Sequence, residues 1–166
     1  MTNFTVRDAQ IQDYAAIAEL NTKAFGQPDE AKIVERMRVD GDVMMELVSE
    51  IEGQIIGHVV FHQVRVFGKL AALGVGPMCV DPWIQREGIG KGMLSQGLGY
   101  LQQKGVALVF VLGHPDYYAK FGFNAAATAD FDGPFKGNPA FMALRLRYGP
   151  PMSGRLIYPD AFGIAS

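Results

Sequence analysis

The chain has 166 residues, of which 49% are apolar and 19% charged, with a net charge of −2, enough for one domain with its own packed core. That balance excludes the broad basic field of a nucleic-acid binder, and a single cysteine, Cys79, excludes an internal disulfide framework. No apolar run approaches the roughly 18 residues of a membrane helix and no signal-peptide pattern opens the chain, so a soluble, cytoplasmic protein without membrane partners is expected.

Residues 4 to 7 predict a short strand. Asp8 or Gln10 then precedes a helical stripe of Ile11, Tyr14, Ala15, Ile17, Ala18 and Leu20 to Phe25. Gly26, Gln27 and Pro28 break it, and Asp29 is placed to cap a second helix running to about Arg38, with Ile33, Val34 and Met37 on one face. The alternation of 44 to 51, the Glu52-Gly53 turn signal and the run 54 to 66 predict a hairpin. A turn at Gly68-Lys69 leads to a third strand, 70 to 80, in which Pro77 points to a bulge or an unpaired edge.

Ile89, Met93, Leu94, Leu98 and Leu101 form the next helical stripe, with Lys104 and Gly105 as its C-terminal cation and cap. The continuous apolar run 106 to 112 reads as a parallel strand covered on both faces. A short helix at 114 to 121, a strand starting at 122 to 126, a loop at 130 to 139 and a final strand at 140 to 148 follow. The Gly- and Pro-rich tail, 149 to 166, receives no place from its pattern.

The segment VDPWIQREGIGKGML, 80 to 94, sets three glycines and two cations at the start of a helix. Glycine costs about 1 kcal/mol against alanine in a helix, so an anion held by the free N–H groups is the natural compensation. A P-loop fails, because Gly92 stands where Ser or Thr is needed and no glycine lies five positions before Gly90. A dinucleotide loop fails because Met93 stands where the third glycine belongs.

Val80, Pro82, Gln85, Gly88 and Gly90 satisfy V-x-P-x-x-Q-x-x-G-x-G. This resembles the pyrophosphate-binding motif of the GNAT superfamily of acetyl-CoA-dependent N-acyltransferases. LGHPDYYAKFGF, 112 to 123, is similar to the segment after the next strand in a bacterial subgroup of that family, ending in Tyr118, Gly122 and Phe123. The resemblance covers about residues 3 to 148. It implies an α/β (α+β) GNAT acyl-CoA N-acyltransferase fold: a mixed, mostly antiparallel central sheet with splayed parallel strands and flanking helices. Residues 1–148 are then the transferase domain, and 149–166 an extension packed on it.

The same resemblance implies acetyl-CoA as co-substrate, without a metal. Backbone N–H groups from Gln85 through Arg86, Glu87, Gly88, Ile89 and Gly90 to Lys91 would face the pyrophosphate, with Arg86 and Lys91 as added cations. Met78, Cys79 and Val80 would line the pantetheine arm. Tyr118 matches the tyrosine that protonates the leaving thiolate, while Tyr117 points elsewhere on the helix. Cys79 has no base at a recognised spacing and reads as a small buried residue. His58 and His62 share a strand face without a third ligand at metal spacing and read as structural.

The base stays open among Glu46, His62, His114, Asp116 and ordered water. The acceptor walls are expected around residues 25 to 29 and 127 to 138. There Phe131, Phe135, Asp130 and Asp132 either bind an amine with an apolar body or form a solvated loop with two packed aromatics. The leading expectation is an N-acetyltransferase acting on a small-molecule or protein amine, possible as a homodimer. The alternatives are a silent acyl-CoA-binding regulatory or scaffold module and a transferase for a longer acyl group.

Overall fold

The structure, a computed structural model, describes residues 3–66, 69–147 and 152–164. The chain runs β1 (Thr5–Asp8), α1 (Tyr14–Phe25), α2 (Asp29–Asp40), β2 (Val43–Ile51), β3 (Gln54–Val66) and β4 (Lys69–Val80). It continues through α3 (Ile89–Gln103), β5 (Leu108–Leu112), α4 (Pro115–Ala119), β6 (Phe131–Asp132), β7 (Phe141–Arg145) and β8 (Gly154–Ile157). The sheet path is β1-β2-β3-β4-β5-β7, antiparallel throughout except for β4 with β5. This is the mixed, mostly antiparallel sheet with one parallel pair that the resemblance implies.

The period of two along β3 divides the core. Val59 and Phe61 face α3, where they pack with Ile89, Met93 and Leu94, while Val60 faces α2 beside Val34 and Met37. All of these are at most 1% exposed, and each such side chain contributes roughly 1.5–3 kcal/mol by leaving water. β5 is covered on both sides: Val109 and Val111 belong to the α3-side core, Leu108 and Phe110 to the opposite one. Its continuous apolar run follows from that double burial.

The expected hairpin closes through Glu52 (φ 50°) and Gly53 (φ 80°), the positive-φ pair of a tight two-residue turn. At Pro77 the expected bulge is present: Val59 pairs with Met78 and Phe61 with Val75, so Val60 alone opposes Gly76 and Pro77.

Several boundaries differ from expectation. Ile11 is 80% exposed and lies in a 3-10 turn, because the Asp13 carboxylate accepts from the Gln10 N–H (2.8 Å) and from Arg7 (2.7 Å), tightening the chain before α1. Asp29 is the first helical residue rather than the cap, with Pro28 before it, and its charge favours the positive end of α2. The segment 122 to 126 makes one bridge, Asn124 to Ala143, and no longer strand. There Asn124 Oδ1 accepts from the Ala127 N–H (2.9 Å) and turns the chain into a 3-10 turn. The predicted loop at 130 to 139 contains β6.

The tail carries β8, which pairs parallel with β6 and antiparallel with β3 at Arg65 and Val66, just past the last β2 partner, His62. Gly68 of the predicted turn, Tyr148 at the end of the predicted last strand, and residues 149–151 and 165–166 of the tail lie outside the described residues. Among the described residues no helix is long and apolar enough to cross a membrane.

Candidate active site

β4 and β5 pair only from Leu73 to Val75 against Val109 to Val111. Beyond Val75, β4 stays bonded to β3 through Met78, Cys79 and Val80 but has no partner toward β5 among the described residues. The wedge so opened leads into a cleft of about 610 Å³. Met78, Cys79, Val80, Gln85, Arg86, Gly88, Ile89, Gly90, Lys91 and Tyr118 all line it. Glu87 is in the same loop but is exposed and absent from the lining, so its side chain faces away.

The loop is shaped for an anion. Arg86 (φ 66°) and Gly88 (φ 83°) are both left-handed, and such alternation turns successive N–H groups into one concavity. Gly88 caps α3 without a side-chain bond. The first helical bond runs from the Gly92 N–H to Gly88 O (2.9 Å), so the N–H groups of Ile89, Gly90 and Lys91 take no helical acceptor. The three glycines have separate reasons. Gly88 is required by its φ, a Cβ on Gly90 would come within 3.0 Å of the Tyr117 hydroxyl, and one on Gly92 within 2.7 Å of the Phe4 ring.

Two supports of this loop were missed in the sequence. Asp81 accepts from the Trp83 N–H (3.0 Å) and pairs with Lys23 of α1 (3.1 Å). Gln85 Nε2 donates back to Val80 O (3.1 Å). The Asp-Pro dipeptide at 81–82 is a turn signal that points to the first.

Gly113 lies under the Tyr118 ring, where a Cβ would clash, and Tyr117 and Phe123 pack edge-on against it. Tyr118 is 9% exposed. Burial, with Tyr117 beside it, pushes its phenol up to about 12, so the hydroxyl is a proton donor at neutral pH. Tyr117 does not point elsewhere. It lines the same cleft, because its hydroxyl reaches over Gly90. Burial, then the Asp81 and Glu30 charges, push the Cys79 thiol up to about 12, which suits a packed residue and not a thiolate nucleophile.

On the far side of the wedge lies a second cavity of about 540 Å³. Phe25, Met78, His114 and Tyr118 line both, so the two spaces meet there. Of the expected acceptor walls, Phe25 and Phe135 face this cavity. Phe131 is instead buried edge-on against Phe110 (5.0 Å), and Asp130 and Asp132 are not in the lining. Glu30, Tyr158 and Phe162 are lining residues the sequence did not single out.

The candidate bases separate by position. His114 is exposed at the junction of the cavities, and Asp116 is exposed and lines neither. His62 lines the second cavity, and burial pulls it down to about 4. Glu46 lines neither cavity. It is buried in a bidentate pair with Arg38 (3.0 and 2.6 Å) and accepts from His58 Nε2 (2.7 Å). Burial raises its carboxyl, and the bonds from His58 and Arg38 more than reverse that, holding it at about 2.

Comparison with known proteins agrees with this geometry. Residues 5–126 match the acetyltransferase (GNAT) domain family. The chain is 36% identical over 137 residues to the uncharacterized N-acetyltransferase YhbS of Escherichia coli, covering 81% of this chain and 82% of that one. A crystal structure of Escherichia coli YhbS in complex with CoA superposes with a TM-score of 0.90 at 32% identity, over 98% of this chain and 93% of that one. A GNAT acetyltransferase from Brucella melitensis in complex with acetyl-CoA gives 0.82 at 31%, over 98% and 99%.

Proposed function

This chain belongs to the GNAT acetyltransferase family and is an acyltransferase; from that premise we propose that it moves the acetyl group of acetyl-CoA onto a primary amine by direct attack in a ternary complex. The observation that carries the reading is the meeting of two cavities at Tyr118, one ending at an anion-shaped helix start, the other lined mostly by apolar side chains. The relatives bound to CoA and acetyl-CoA support the assignment of the first to the co-substrate.

On this reading the amides of residues 85–91, with Arg86 and Lys91, hold the pyrophosphate. The free edge of β4 at Met78, Cys79 and Val80 receives the pantetheine arm. The amine nitrogen attacks the thioester carbon, the C–S bond breaks, and the thiolate takes the Tyr118 proton. His114, or water reached through the junction it lines, removes the proton from the nitrogen. No acyl-enzyme is needed, in keeping with the raised Cys79 thiol. The pairing of β8 with β3 supports reading 149–166 as an extension folded onto the 1–148 domain.

Calorimetry with acetyl-CoA and thiol release against an amine panel test the proposal. Micromolar binding with turnover of at least one amine is expected. Binding without turnover of any amine leaves a silent acyl-CoA-binding module, and no binding removes the reading altogether. Gly88→Val forces a branched side chain into a left-handed φ and is expected to weaken acetyl-CoA roughly tenfold or more. An unchanged affinity would put the co-substrate elsewhere.

A further inference from the structure

We propose that the second cavity selects a small primary amine borne on an aromatic body, with a hydrogen-bond donor at its far end received by His62 and no acid group, in preference to protein amino groups. This deepens, and rests on, the acetyltransferase reading of the site.

Size is the first argument. A cavity of about 540 Å³ is in the range of pockets that enclose whole small molecules, roughly 300–1,000 Å³. A lysine side chain reaching in from a protein surface would leave much of it unfilled.

The walls are the second. Phe25 comes from the end of α1, Phe135 from the loop before β7, and Tyr158 and Phe162 from the tail. Phe135 and Tyr158 meet edge-on at 5.1 Å, and His62 and Phe162 at 5.0 Å. Rings converging from separate segments present the edges and faces that an aromatic guest pairs with.

Charge is the third. Glu30 is the one carboxylate among the described lining residues, and no lysine or arginine lines the space with it. A cationic amine is welcome there. A carboxylate or phosphate on the acceptor would be desolvated without a partner and repelled by Glu30.

His62 supplies the polar discrimination. It is 2% exposed, and its ring packs against Gly74. Nδ1 donates to Gln63 O at 3.1 Å, which leaves Nε2 as an acceptor with no partner among the described residues. Gly74 pairs with His62 and Met78 with Val59, three residues farther along β3, about 10 Å of strand. The free acceptor is therefore remote from the reacting amine and meets the opposite end of the guest.

The test compares tyramine, 2-phenylethylamine, tyrosine and a lysine-containing peptide by thiol release in the wild type, His62→Phe and His62→Gln. Acetyl-CoA binding is measured in each variant to establish that it is folded. In the wild type, tyramine should exceed 2-phenylethylamine roughly tenfold in kcat/KM, through KM. Tyrosine and the peptide should fall roughly a hundredfold or more below tyramine. His62→Phe should erase the tyramine preference by raising its KM alone, and His62→Gln, which keeps an acceptor, should retain it. Equal use of the two arylalkylamines by the wild type, a preference that survives His62→Phe, or a better rate on tyrosine or the peptide would each overturn the inference while leaving the acetyltransferase reading intact. Binding of acetyl-CoA with no turnover of these or any other amine would overturn both. If His62→Phe does not fold, the wild-type pair and His62→Gln decide.

Discussion

Tyr118→Phe is expected to lower turnover on the best amine by roughly a hundredfold or more, with acetyl-CoA affinity nearly unchanged. The ring is held by Gly113 beneath it and by the edge-on contacts with Tyr117 and Phe123, and phenylalanine keeps all of these. Its hydroxyl has no hydrogen-bond partner among the described residues, and the residue lines both cavities, so its loss removes a proton and no structural bond. Burial raises the phenol to about 12. The proton is therefore present across the working range, and turnover should show no alkaline loss from this group until the pH nears that value. Tyr117→Phe is the contrast. Its hydroxyl reaches over Gly90 at the helix start, so its effect should fall on co-substrate affinity. Thiol release at saturating acetyl-CoA, beside calorimetry, separates the two. Full turnover by Tyr118→Phe would move the acid role to another group.

β3, α3 and β5 were legible because each element is declared locally. Val59 to Phe61 continue the apolar run of a strand packed on both faces, Ile89 to Leu101 keep a 3.6 period, and Leu108 to Val111 are continuously apolar because both faces are covered. The glycine loop was legible as a backbone need, and Gly88 meets that need through its φ. Gly90 and Gly92 answer to Tyr117 and Phe4, contacts that no local pattern declares. The second cavity was half visible. Phe25 and Phe135 lie in segments singled out as variable walls, but Tyr158 and Phe162 reach it only because β8 takes the edge of β3 that β2 leaves free. A four-residue strand whose β3 partners lie about ninety residues away in sequence has no periodicity to read. Glu46 misled for a related reason: an acidic residue in an alternating strand looks like a candidate base until Arg38 of α2 and His58 of β3 are seen to hold it.

That buried carboxylate gives the largest expected effect on stability. Arg38 stacks over the Tyr14 ring at 3.6 Å while gripping Glu46, and His58 continues inward to Asn21 Nδ2 at 3.1 Å, whose amide also donates to Ile17 O at 2.9 Å. The network ties α1 and α2 to β2 and β3, and those helices carry Phe25 and Glu30 to the second cavity. Glu46→Gln leaves Arg38 facing a neutral amide in a site where the acid was 9% exposed, and a loss of about 3 kcal/mol is expected. The pH dependence has a definite sign. A carboxyl moved from 4.5 down to about 2 on folding contributes about 3 kcal/mol above its unfolded pKa, and that contribution drains away as pH falls from about 5 through 2. Asp13, held below the usual range by Arg7, also destabilises the fold in acid, but it does so equally in both proteins and cancels from the difference. Denaturant midpoints from pH 7 down to 3 should show the gap between wild type and Glu46→Gln wide at neutrality and narrowing below pH 5. Asp40→Asn, which breaks the exposed Arg36 pair (2.7 Å), should cost under about 0.5 kcal/mol. A gap that stays constant with pH, or two variants of equal cost, would mean that the Glu46 charge is not what holds these helices to the sheet.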